Sequence, residues 1–221
     1  MMTIAEFDAL WQRRHERDAL ESCFQAAQNA DNFDWQWRMA RLAHFAGMQA
    51  QEEGDNTTAL EQFGIGKTAA DLALLEKPRR VEASFWLATC ELERARLRGP
   101  IALASILNRC QKLLERASAV DEAFHFAGPV RVLGRVTQLK PLVLGGSLDR
   151  AITFYERALQ LFPRQSTTRL YLADALLSDR RPARAREELR AVLENSDARN
   201  WEWETARDQK TARGWLESRF D

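Results

Sequence analysis

SLDRAITFYERALQLFP (147–163) and ARAREELRAVLENSD (183–197) decide the fold, because four positions of the first recur in the second at one fixed offset. Ala151, Tyr155, Ala158 and Pro163 are followed 34 residues later by Ala185, Leu189, Val192 and Asp197. A self-match at a constant period of this size marks an array of helical repeats. In each copy a small residue, a bulky one four later and a smaller one three beyond that share one helix face. A neighbouring helix approaches closely along that face, and Pro or Asp marks the end of the segment.

The same logic extends upstream. Leu172-Ala173 is a large-then-small pair 12 to 13 residues before Ala185, on the helix that precedes it. Leu133-Gly134 is the equivalent pair in the unit before, yet it lies 17 to 18 residues ahead of Ala151, so that unit holds about five extra residues, supplied by KPLVLGG (140–146). Leu42-Ala43 with Ala59 and Phe63, and Leu87-Ala88 with the helix ending at Ala117, form two further pairs, and Ala19 and Ala26 before Asp31 a degenerate opening one. WEWETARDQKTARGWLESRF (201–220) has the place of a capping helix, which covers the last apolar face of such an array.

Apolar residues recur at helical spacing almost everywhere, and no stretch shows the sustained alternation of a half-buried strand. Turn signals fall at Gly54, Pro78, Gly99-Pro100, Gly128-Pro129, Pro141, Gly145-Gly146, Pro163 and Pro182. The spacing between them predicts helices over 4–14, 17–29, 34–52, 57–76, 80–98, 101–118, 122–139, 147–161, 165–178, 182–195 and 199–219. The chain is therefore expected to be all-α and a single domain over 1–221, most regular in 122–163 and 164–197, with its cap at 199–219.

A 34-residue period with these small and large positions resembles the tetratricopeptide repeat (TPR) family. The resemblance implies a right-handed superhelical array of about five antiparallel helix pairs plus a C-terminal capping helix. HFAGPVRVLGRV (125–136), LKPLVLGGSLDRAITFYERAL (139–159), RLYLADALL (169–177) and ARAREELRAVL (183–193), in that order, resemble one branch of it. That branch is the T-component proteins associated with tripartite ATP-independent periplasmic (TRAP) transporters. The similarity runs over roughly 57–195, and its most specific part is the GG-S-L-x-x-A block.

In TPR proteins the first helix of each pair lines a concave groove, with ligand-facing positions three before, one after and four after the small residue of the large-small pair. Carried onto this chain, the resemblance selects Ala40, His44 and Gly47, then Phe85, Thr89 and Leu92, then Arg131, Arg135 and Gln138, then Leu170, Asp174 and Leu177. Phe85, Leu92, Leu170 and Leu177 would give apolar contact, and Arg131 and Arg135 orientation. The two arginines are four apart and share a helix face, where they would clamp a carboxylate or acidic peptide segment, or instead pair with Asp174 inside the array.

Other chemistry has little support. Basic and acidic residues balance at 32 each, so no global field draws nucleic acid or an anionic membrane. Cys23, Cys90 and Cys110 include no Cys-x-x-Cys pair, and His15, His44 and His125 are far apart, so neither a disulfide framework nor a metal site is expected. The Gly-Lys-Thr of FGIGKTAADLAL (63–74) ends a phosphate-binding loop elsewhere, but that loop needs a glycine five residues before Gly66, where this chain has Glu61. Asn56 is a plausible cap for a helix running straight through the motif.

No Gly-x-Ser-x-Gly elbow occurs, and no catalytic residue or cofactor is expected. No window of about 18 apolar residues is present to insert in a membrane. The chain as given is expected in the cytoplasm, or in the periplasm if a lipoprotein signal is missing from it, and its oligomeric state is open. The expected function is a non-catalytic scaffold that binds a protein or peptide partner with acidic groups, or an elongated ligand, in its groove. The alternative is a T-component-like accessory protein of solute transport that docks a substrate-binding protein and holds a small organic ligand.

Overall fold

The computed structural model describes residues 2–28, 31–196 and 200–220. Among these the backbone forms eleven α-helices and no strand. They are α1 (Ile4–Trp11), α2 (Arg17–Ala27), α3 (Phe33–Glu52), α4 (Asn56–Glu76), α5 (Val81–Arg98), α6 (Pro100–Val120), α7 (Phe124–Leu139), α8 (Leu148–Leu161), α9 (Ser166–Ser178), α10 (Pro182–Leu193) and α11 (Glu202–Phe220). All eleven match the helices expected from the turn signals. Asn29, Asp197 and Arg199, at the expected end of the second helix, the end of the repeat match and the start of the cap, lie outside the described residues.

Two ends differ instructively. α1 stops at Trp11 because Arg13 N and Arg14 N donate to the carbonyls of Leu10 (2.9 Å) and Trp11 (3.2 Å), tightening the chain into a turn. The cap of α4 is Asp55 rather than Asn56: its Oδ1 accepts from Thr58 N at 3.0 Å.

The chain divides into two compact units, Met1–Asp121 and Glu122–Asp221. In the first, α3 packs on α4 and α5 on α6, and α5 also meets α3 and α4. Ala59 and Phe63 of α4 are fully buried, and a methyl added at Gly66 would lie 2.7 Å from Cys90 Sγ and 3.2 Å from the Ala40 carbonyl oxygen. The glycine of the Gly-Lys-Thr motif is thus a notch into which α3 and α5 fit.

In the second unit α7 packs on α8, α8 on α9, α9 on α10, and α11 on both α9 and α10. Every repeat-signature residue described there is buried: Ala151, Tyr155, Ala158, Ala185, Leu189 and Val192. The capping helix adds Ala212 to that core, with Trp215, Leu216 and Phe220 against it.

Gly134 of the large-small pair faces the Tyr155 ring, where an added methyl would stand 2.7 Å from Cε1. Helix propensity alone favours alanine over glycine by about 1 kcal/mol. We nevertheless expect Gly134→Ala to destabilise by about 1–3 kcal/mol, because the ring is fixed in a packed core. Urea unfolding of Gly134→Ala in the wild-type and Tyr155→Leu backgrounds checks this; a loss undiminished by the smaller partner would refute the notch.

The KPLVLGG insertion closes on itself. Leu142–Leu144 form one 3₁₀ turn, Gly145 is left-handed at φ 84°, and Gly146 N donates to the Pro141 carbonyl at 3.1 Å. A Cβ at Gly146 would stand 1.8 Å from the Lys140 carbonyl oxygen, so no other residue fits. Ser147 N then reaches the Thr137 carbonyl at 3.3 Å, and Leu142 and Val143 point outward at 84% and 92% exposure.

Candidate functional site

In the second unit the sequence-selected residues of α7 and α9 come together. Arg135 Nη1 donates to Asp174 Oδ2 at 2.6 Å, and Gln138 Nε2 donates to the same oxygen at 2.9 Å. Gln138 Oε1 accepts from Arg135 Nη1 at 3.1 Å and from the Tyr155 hydroxyl at 2.8 Å. The Arg135 guanidinium also sits 5.0 Å from the Tyr171 ring centroid. Burial pushes the Tyr155 phenol well above its ordinary range, so it stays a donor. The Arg135 and Asp174 side chains keep about a quarter of their surface, 24% and 27%.

Arg131, one turn before Arg135, has other partners. It is only 4% exposed, donates from Nη1 to the Phe126 carbonyl at 2.8 Å, and lies 5.5 Å from the Trp201 ring centroid. Burial lowers its pKa to about 10, opposed through space by Tyr171, Asp208 and Glu204. The expected two-arginine clamp is therefore divided: Arg135 has its carboxylate in Asp174, and Arg131 forms no ion pair among the described residues.

Beside Arg131 the start of α9 is tied to α11. The fully buried Asp208 accepts from Ser166 Oγ at 2.7 Å, Thr167 Oγ1 at 2.6 Å and Arg207 Nη2 at 2.7 Å. Trp201 Nε1 donates to Thr167 Oγ1 at 3.4 Å. None of these α11 residues was selected from the sequence, since the segment was read as a cap alone. Of them only Trp201-x-Trp203 carries a sequence signal; an aspartate in a charged helix carries none.

The remaining selected residues are placed as follows. Leu170 is buried and Leu177 half-buried against the α9–α10 core. In the first unit His44 lies between the rings of Phe63 (5.8 Å) and Trp86 (5.5 Å). Phe85, Thr89 and Leu92 are buried, and Thr89 Oγ1 donates back to the Phe85 and Trp86 carbonyls at 3.2 and 3.1 Å. The family spacing assumes a first helix with one open face, whereas α5 is buried at every residue from Val81 to Leu92.

Lys67 of Gly-Lys-Thr lies mid-helix in α4, with its ammonium on Asp71 and 3.9 Å from Glu91 Oε1. Arg109 of α6 completes that network at 2.7 Å from Glu91, and Thr68 donates to the Gly64 carbonyl at 3.1 Å. Burial pushes the Glu91 carboxyl up despite both cations. A lysine held this way is a strut between helices.

Stacked antiparallel helix pairs, glycine notches at the large-small positions and a face of linked polar side chains define a helical-repeat protein of TPR type. The crystal structure of a thermophilic TPR protein from Thermus thermophilus matches with a TM-score of 0.57 and 18% identity, covering 94% of this chain and 92% of that one. Pseudomonas aeruginosa PilF matches with a TM-score of 0.53 and 16% identity, covering 97% and 91%. The chain belongs to the TRAP transporter T-component family, whose model matches residues 16–207. No curated protein matches the sequence. Among the described residues no helix is long and apolar enough to cross a membrane, and no three His, Cys, Asp or Glu side chains are grouped to hold a metal ion.

Proposed function

We propose that this protein is a non-catalytic scaffold of a TRAP-type solute transport system, binding a partner protein or elongated ligand on the face formed by α7, α9 and α11. The single observation that carries this is the Arg135–Asp174–Gln138–Tyr155 network. It joins two repeats through charged groups that remain partly exposed, which is the arrangement of a preformed, orienting surface and not of a packed core. Family membership supplies the partner class, a substrate-binding protein of the same transport system. The accessory role of the family favours binding over turnover, and among the described residues this face assembles no nucleophile-and-base pair.

Affinity capture from the source lysate tests it. Wild type is expected to retain a TRAP substrate-binding protein, Arg135→Glu to lose it with helicity intact by circular dichroism, and the double swap Arg135→Glu, Asp174→Arg to restore part of it. Equal capture by all three would move the contact off this face.

A further inference from the structure

At the start of α7 the backbone reverses hand for three residues. His125, Phe126 and Ala127 have φ of 49°, 58° and 56°, a left-handed turn built without glycine. Such backbone is unfavourable for any residue with a Cβ, and it persists only where the surroundings over-determine it, most often at ligand sites. Here it aims two rings and one carbonyl at a common point. The His125 and Phe126 rings each lie 5.1 Å from the Trp201 centroid, Phe126 also meets Phe162 at 5.7 Å, and the Phe126 carbonyl accepts from Arg131.

The four rings are half-buried and the guanidinium beneath them is almost wholly enclosed. Arginine carries five N–H donors. The Phe126 carbonyl takes one, and among the described residues no carboxylate takes the rest. Asp208 is held by Ser166, Thr167 and Arg207, and Glu204 acts on Arg131 through space. A buried cation with donors to spare is costly by itself, and it is relieved by a planar anion that accepts two parallel bonds. The rings around it supply apolar, flat contact and nothing to pair with a second charge.

We infer that this cluster binds a small organic carboxylate carrying a flat apolar group, its carboxylate on Arg131 and its body among His125, Phe126 and Trp201. The inference rests on the α7–α9–α11 face being the recognition surface, and it names the ligand class of that surface.

Titration calorimetry of the full chain with phenylacetate, phenylacetamide and acetate decides it. Phenylacetate is expected to bind, with amide and acetate each roughly 10- to 100-fold weaker, as for loss of a charge-assisted pair or of the ring contact. Trp fluorescence should change on binding, and that change should vanish in Trp201→Leu. Arg131→Gln should bind no phenylacetate while keeping its helicity; should it fail to fold, the acid-against-amide comparison in wild type still decides.

Equal binding of acid and amide, no binding of phenylacetate by wild type, or tighter binding of an acetylated triglutamate amide would each overturn the inference. Partner capture is scored separately. Acid binding with capture lost sinks only the partner, and capture without acid binding sinks only the ligand.

Discussion

Asp208→Ala is expected to lower the stability of the second unit by about 3–5 kcal/mol, as for a buried ion pair deprived of one partner. Asp208 has no exposed surface, and three donors converge on it from α9 and from its own helix. Its removal leaves the Arg207 guanidinium, 17% exposed as a side chain, and two hydroxyls without an acceptor. The loss should be local first: α11 loosens from α9 before the α7–α8 and α9–α10 pairs open. Urea unfolding combined with amide exchange over 202–220 measures both. A loss under about 1 kcal/mol, the range of a surface pair, would show that the cluster is solvated in solution. Asp208→Asn keeps one acceptor oxygen and should fall between alanine and wild type.

Tyr155→Ala should cost as much, about 3–5 kcal/mol, by a different route. The ring is fully buried against Gly134, so the cavity lies where glycine has already removed every side-chain atom that could fill it. Collapse would require α7 and α8 to approach, and their backbones are already in contact range at that notch. Tyr155→Phe separates the hydroxyl from the ring. It should cost only about 0.5–1.5 kcal/mol, since Gln138 Oε1 keeps its bond from Arg135. Equal losses for the two variants, by urea unfolding, would mean that the polar network and not the packing sustains the repeat.

The architecture was readable because it is periodic. Ala151, Tyr155 and Ala158 with Ala185, Leu189 and Val192 specify a close helix contact wherever they occur, and all six are buried. The Arg135–Asp174 pair was readable as one of two alternatives, because both positions follow from the repeat rule. The separate fate of Arg131 was not, since one helical turn of distance says nothing about which neighbour each guanidinium meets.

The left-handed turn was hidden for a related reason. Gly128-Pro129 signals a break, but the reversed residues are the three before it, all with side chains and none with a preference for that conformation. Phe85, Thr89 and Leu92 show the converse: spacing borrowed from a family locates a helix face without saying whether that face is open.

The closed turn at 141–146 bears on how such chains change over time. It adds residues to one repeat, yet Ser147 N still reaches Thr137, so α8 returns to α7 as though the extra residues had never been inserted. Selection at this joint acts on the distance between two helix ends and not on a residue count. Length here is free to drift among relatives so long as a glycine stands where Gly146 does. Alignments scored on a strict 34-residue ruler will misplace every repeat upstream of it.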